Sequence, residues 1–142
     1  MEHYWLTIRA SRPTHDFDLS RWHTDRKFFN REHECKAYWK LAITLVDPGT
    51  LFLTEGKKAR AEQKKARHSM RKMIMANHRC RAVRCLGSAG MQEVVRKRLV
   101  KKLAKYKVVQ PGLGQCSFFR VGDENGAMHS ELPISGDRVF VC

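Results

Sequence analysis

Positive charge is concentrated in the middle third of this 142-residue chain. Residues 57–107 contain 18 Lys or Arg and two acids, Glu62 and Glu93, for a net charge of +16. The other 91 residues contain 10 basic and 12 acidic residues, for a net charge of −2. Because like charges at this density repel one another, we expect a polyanion to neutralise them. Nucleic acid is the first candidate and a membrane surface is the second.

Other features of the sequence exclude several classes of protein. There is no apolar run of about 18 residues, so no segment is expected to span a bilayer. Residues 1–18 lack a basic start followed by an apolar block, so we expect no secretory signal. The five cysteines are loosely spaced, which favours free thiols in a reducing compartment.

The periodicity of apolar residues predicts a mainly α chain. Asp25 is a candidate N-cap for a helix over 26–46, and Thr54 is a candidate cap for a second helix. Residues 77–90 are predicted to form a basic loop, and a third helix is predicted over about 90–107. In residues 116–142, alternation around a turn predicts a small β-hairpin, with a further strand at Val139–Val141. The predicted fold is an elongated helix-loop-helix chain with a thin core that RNA completes.

Cysteine and histidine occur together in the predicted loop, which raises the question of a zinc site. The possible ligand pairs are His33 with Cys35 and His78 with Cys80, with Cys85 as a single cysteine. Structural zinc sites commonly use two closely spaced ligand pairs such as C-x-x-C, and that motif is absent from this sequence. We therefore predict neither a metal site nor another cofactor.

The three arginines of the same loop have a clearer interpretation. Arg79, Arg81 and Arg84 alternate with small residues, so the backbone can approach a phosphate chain closely. Guanidinium groups form paired hydrogen bonds with phosphate oxygens and stack on unpaired bases. This segment is therefore predicted to bind nucleic acid.

Several short motifs follow one another in an order that is typical of one family. They are Ala42-Ile43 with Asp47-Pro48, Asn77 with Arg79-Cys80-Arg81, Arg96 and Leu99 with Lys102-Leu103-Ala104, and Pro111-Gly112-Leu113 with Ser117-Phe118. This ordered set resembles the bacterial and organellar, zinc-free form of small-subunit ribosomal protein fourteen. The chain departs from the family in the loop 82–87, which lacks Thr-Gly-Arg-Pro, and at Phe118, where the family has Trp.

The resemblance implies a structural constituent of the small ribosomal subunit, in a divergent mitochondrial form. Residues 25–118 would be the rRNA-binding region, and residues 1–24 and 119–142 would be extensions. The implied partners are small-subunit rRNA and neighbouring proteins of the subunit head, with no membrane, no small-molecule substrate and no enzymatic activity. The residues expected to bind RNA are Arg67, Arg71, Lys72, Arg79, Arg81, Arg84, Arg96, Lys97, Lys101, Lys105, Lys107, Ser117 and Phe118.

Two other classes of function remain open. One is a free-standing basic RNA-binding protein, or a basic ribonuclease that uses His15 or His23. The other is a cysteine protease, because residues 114–120, GQCSFFR, resemble the nucleophile segment of ovarian-tumour-type proteases. In that case Cys116 would be the nucleophile and His129 its base.

Overall fold

The computed structural model describes residues 6–26, 38–46, 49–77 and 86–142. Within these ranges the chain forms two α-helices, seven strands and a short 3-10 helix at His15–Phe17. The helices are α1, Gly56–Asn77, and α2, Leu86–Leu103. The strands are β1 Ile8–Ser11, β2 Tyr38–Val46, β3 Leu51–Leu53, β4 Val108–Val109, β5 Cys116–Val121, β6 His129–Ser130 and β7 Arg138–Val141.

The strands form two antiparallel sheets, so the prediction of a mainly α fold is wrong. The larger sheet has the order β1-β7-β2-β5, and the smaller has the order β4-β3-β6. The protein is a mixed α/β fold. In the larger sheet, β1 from the start of the chain pairs with β7 near its end, with Ile8 opposite Val141. The division into residues 1–24, 25–118 and 119–142 stays a prediction.

Strand β2 replaces the second half of the helix predicted over 26–46. Its sequence, YWKLAITLV, is rich in aromatic and β-branched residues, which suit a pleated strand. An apolar run of this length has no unique period, so helix and strand cannot be separated from the sequence alone. Pairing with both β5 and β7 decides in favour of the strand. Residues 27–37 of the predicted helix lie outside the described residues.

The two basic helices agree better with the predictions. The helix predicted after Thr54 is present as α1. The predicted loop 77–90 is wrong from Leu86 onward, because α2 already begins there; residues 78–85 lie outside the described residues. Helix α2 ends at Leu103, and the segment that was predicted to continue the helix leads instead into β4.

The main core lies between the two helices and the smaller sheet. Its buried side chains are Leu53, Ala59, Ala66, Val95, Leu99, Leu103 and Met128, and Trp22, Met70 and Tyr106 pack against them. The small side chains of the alanines in α1 allow α2 to approach closely. Each fully buried Leu or Val side chain contributes about 1.5–3 kcal/mol of transfer free energy. The described part of the chain therefore has a core made by its own residues. The sequence had predicted a thin core completed by RNA instead.

The predicted C-terminal hairpin is also wrong. Strand β5 pairs with β2, whereas β6 pairs with β3 in the other sheet. The turn between them is tight because Gly122 has a φ of 116°, a conformation that favours glycine, and its carbonyl accepts the N–H of Gly126 at 2.8 Å. The strand predicted at Val139–Val141 is present as β7, between β1 and β2.

Neither α1 nor α2 combines the length and apolar character that a membrane-spanning helix needs; this statement covers the described residues.

Candidate functional site

Two histidines from distant parts of the chain meet in a single antiparallel bridge. The backbone N–H of His23 donates to the carbonyl of His129, and the N–H of His129 donates to the carbonyl of His23, both at 2.9 Å. Residues paired in this way have Cα atoms about 5.5 Å apart and direct their side chains to the same side. Asp25 follows His23 by two residues, and side chains in extended backbone repeat every two residues, so it lies on that side as well.

Backbone carbonyls orient both imidazole rings. Nδ1 of His23 lies 2.6 Å from the carbonyl oxygen of Arg21, and Nδ1 of His129 lies 3.0 Å from that of Ala127. A carbonyl oxygen only accepts hydrogen bonds, so each Nδ1 carries the hydrogen. The Nε2 atoms are directed to the same oxygen, Oδ1 of Asp25, at 3.6 Å from His23 and 3.5 Å from His129.

The carboxylate of Asp25 has a third partner on the larger sheet. Its Oδ2 accepts a hydrogen bond from Nζ of Lys40 in β2 at 2.8 Å, and both side chains are only 16% exposed. Burial alone would raise the pKa of Asp25, but the contacts with His129, His23 and Lys40 outweigh it and hold this pKa far below its ordinary value. The carboxylate is therefore ionised.

The same carboxylate favours positive charge on the neighbouring imidazole. Burial acts to lower the pKa of His23, but the contact with Asp25, the Arg21 carbonyl and the charge of Glu131 outweigh it and raise this pKa. His129 is more deeply placed, with 5% of its surface exposed, and its ring lies 4.4 Å from that of His23 between centroids. The three side chains form one cluster, which we call the His-Asp-His cluster.

Helix α1 holds the backbone that carries this cluster. Gln63, which is buried, donates from Nε2 to the carbonyl of Trp22 at 3.3 Å, and Arg60 donates from Nη1 to the carbonyl of Gly126 at 2.7 Å. The N–H of Gly122 donates to the carbonyl of Asp25 at 2.8 Å. The segments around residues 23 and 129 are therefore fixed to α1 and to each other.

A cavity of about 130 Å³ lies beside the cluster, against the inner face of the larger sheet. We define this inner face by Lys40, Ala42, Phe119 and Arg138, which all line the cavity together with Arg9 and Glu131. The cavity has room for several water molecules or a small ligand. Its charged lining is mixed, with three cations against the carboxylates of Asp25 and Glu131.

The cations predicted to bind RNA are mostly on the outside of α1 and α2. Six of them are exposed: Arg71, Lys72, Lys97, Lys101, Lys105 and Lys107. Arg67 and Arg96 are half-exposed and lie 3.6 Å from Asp123 and 3.5 Å from Glu93, so each has an acidic partner within the protein. Arg79, Arg81 and Arg84 lie outside the described residues.

Ser117 and Phe118 cannot both face one ligand, because they lie on opposite faces of β5. Phe118 is 65% exposed and stacks on Trp39 of β2, with centroids 4.8 Å apart and an interplanar angle of 7°. Arg120 lies 5.5 Å from the Trp39 ring. With Leu41, which pairs with Phe118, these residues define the exposed outer face of the larger sheet. Trp39 itself is 52% exposed.

The protease alternative has no support from the geometry. Cys116 is exposed on the outer face of β5, whereas His129 contacts Phe119 on the inner face, with ring centroids 5.3 Å apart. Nε2 of His129 is directed to Asp25. The proposed nucleophile and base are therefore on different sides of the sheet. His15, a candidate for a ribonuclease site, is exposed and lies 2.9 Å from Asp18.

Sequence reasoning missed the His-Asp-His cluster. It considered His23 and His129 only separately, and it assigned Asp25 to a helix cap. The H-x-D spacing of residues 23–25 was the available local signal, since it places both side chains on one side of an extended segment. No local pattern connects residue 129 to residue 23, because only the tertiary bridge brings them together.

No protein-family model, curated protein or solved structure matches this chain.

Proposed function

We propose that this protein binds RNA through the outward faces of α1 and α2. The observation that carries the proposal is the row of exposed cations on both helices and on the segment that follows α2. They are Lys57, Lys58, Lys64, Lys65, Arg71, Lys72, Lys97, Arg98, Lys101, Lys102, Lys105 and Lys107. The apolar sides of the helices face the core, which leaves the cations outward.

Few acidic side chains offset this charge. In the described residues of α1 and α2 and just before them, Lys58 pairs with Glu55, Lys65 with Glu62, and Arg96 with Glu93. Exposed pairs of this kind contribute little and are screened by salt. The surface therefore keeps a large positive potential. Binding to the phosphates of RNA would release the counterions that RNA carries.

RNA is a better partner for this surface than a membrane. Helices that lie on a bilayer insert an apolar face among the lipids. In this protein Ala59 and Ala66 of α1 and Leu99 and Leu103 of α2 are already buried in the core. What the helices offer outward is mainly charge.

Salt dependence tests this function. Binding of a labelled single-stranded RNA, followed by fluorescence anisotropy between 50 and 200 mM KCl, should weaken with a log–log slope of about −0.7 for each phosphate contact. With six or more phosphate contacts, the affinity should fall by about 300-fold or more over this range of KCl concentration. Affinity that does not depend on salt would contradict the proposal. Equal affinity for duplex DNA at the same salt concentration would show a general preference for polyanions rather than for RNA.

The ribosomal function is a narrower form of the same proposal. The mainly α fold predicted from the periodicity of apolar residues is wrong, and the RNA-binding proposal rests on the exposed cations of α1 and α2 and not on the family resemblance. Membership of the small-subunit head, contacts with neighbouring head proteins and a mitochondrial location stay predictions. A ribosomal constituent should co-sediment with the small subunit at moderate salt. A protein that stays in the soluble fraction at low salt would be a free-standing RNA-binding protein instead.

A further inference from the structure

We propose that His23, Asp25 and His129 bind one divalent transition-metal ion such as Zn²⁺, with a fourth coordination position open to the adjacent cavity. The ligand atoms would be Nε2 of both histidines and Oδ1 of the aspartate. The sequence predicted no metal site, and this one uses none of the cysteines considered there. The proposal is independent of RNA binding.

The distances from the shared aspartate oxygen to the two histidine nitrogens fit a metal ion. The three atoms lie within 4.8 Å of one another, and the two nitrogens lie 3.6 and 3.5 Å from Oδ1. With bonds of about 2.1 Å, the edge of a tetrahedral site is about 3.4 Å long. A direct hydrogen bond from an imidazolium would bring nitrogen and oxygen to roughly 2.7–3.2 Å. The observed contacts are longer than that and lie close to the tetrahedral edge.

The orientation of each ligand also suits coordination. Because both Nδ1 atoms donate to backbone carbonyls, the lone pair of each neutral ring is at Nε2, directed toward the shared oxygen. Metal-binding histidines characteristically donate their other N–H to a carbonyl or carboxylate in this way. Lys40 occupies Oδ2 of Asp25 and leaves Oδ1 for the metal, so that the carboxylate would bind through a single oxygen.

The type of ligand determines the class of metal. Two imidazoles and one carboxylate suit Zn²⁺, Co²⁺ and Fe²⁺, whereas Mg²⁺ and Ca²⁺ prefer oxygen ligands. Structural zinc sites usually have four protein ligands, and sites with three protein ligands keep a position for water or substrate. The cavity beside the cluster provides space for that fourth ligand.

Charge around the cavity indicates what the fourth ligand would be. A divalent ion would add to the positive charges of Lys40, Arg9 and Arg138, against the two carboxylates of Asp25 and Glu131. An anion or a metal-bound hydroxide at the open position would offset this excess. We therefore expect the fourth ligand to be anionic.

Cobalt binding followed by absorption spectroscopy tests the proposal. The 142-residue chain, freed of metal with a chelator, should bind one equivalent of Co²⁺ and show the visible bands of tetrahedral coordination by nitrogen and oxygen. Zn²⁺ should displace Co²⁺ and remove the bands. His129→Ala and Asp25→Asn should each weaken binding about 100-fold or more, whereas His15→Ala, at an exposed His–Asp pair, should leave it unchanged.

Several results would overturn the proposal. A thiolate-to-cobalt charge-transfer band would place the metal on cysteines. Binding by the folded variants that is as tight as that of the wild type would show that these residues are not the ligands. The third such result is the absence of binding at tens of micromolar Co²⁺ and Zn²⁺. His129 is buried, so its variant could fail to fold. In that event His23→Gln, at a half-exposed side chain, makes the same comparison, with circular dichroism as the check on folding. RNA affinity should not change in any of these variants.

Discussion

Replacing Lys97, Lys101 and Lys105 with glutamine should weaken RNA binding about a hundredfold at 0.1 M salt. Each lost phosphate contact lowers the magnitude of the log–log salt slope by about 0.7–0.9. Because 0.1 M lies one decade below the 1 M reference of that plot, each lost contact also lowers the logarithm of the affinity at 0.1 M by about 0.7–0.9. The slope should therefore become shallower by about two to three. These side chains are exposed on α2 and just after it, so the free energy of unfolding should change by less than about 0.5 kcal/mol.

The control for this variant removes the same charge elsewhere. Replacing Arg12, Arg26 and Arg120 with glutamine also lowers the net charge from +14 by three, to +11, at exposed positions outside the helices. If the helical surface binds RNA, the control should lose much less affinity than the helical variant. Equal losses would mean that only the total charge matters, and a larger loss in the control would place the interface on the surfaces that carry these three arginines.

Asp25→Asn should lower the free energy of unfolding of the metal-free protein by about 2–4 kcal/mol. The substitution keeps the shape of the side chain but removes the charge that pairs with Lys40 at 2.8 Å. Both groups are largely buried, so the ammonium of Lys40 would lose its compensation in a poorly solvated place. Urea unfolding with chelator present measures the change.

Two further variants separate this cause from others. Asp18→Asn, at the exposed pair with His15, should change stability by less than about 0.5 kcal/mol. Combining Asp25→Asn with Lys40→Met should recover part of the loss, because the double substitution removes the uncompensated ammonium. A loss below about 0.5 kcal/mol for Asp25→Asn alone would show that the buried pair contributes nothing net.

Local patterns in the sequence predicted the helices and the charge. The stripe Val95, Leu99 and Leu103 has helical spacing and is buried in α2. The exposed lysines of the same helix come from the complementary positions, so their placement follows from the period of 3.6 residues. Short-range periodicity was enough here because helices make their hydrogen bonds within a few residues of chain.

Strand pairing was beyond the reach of the sequence. The apolar run of β2 fits a helix or a strand, and its partners, β5 and β7, lie about 70 residues or more further along the chain. The predicted hairpin failed for a related reason, since β5 and β6 follow each other in the chain but join different sheets. Sheet hydrogen bonds connect distant residues, so they depend on which segments the whole fold brings together.

The sequence by itself determined where the positive charge lies, that apolar residues recur at helical spacing among the lysines and arginines of residues 95–103, and that Asp25 follows His23 by two residues. Only the tertiary structure decided that the described strands form two sheets and that His129 lies beside those residues, with Lys40 on the far oxygen of the carboxylate. Charge and helical periodicity are local properties of a sequence. The cluster depends on one backbone bridge between residues more than a hundred positions apart, which no local pattern encodes.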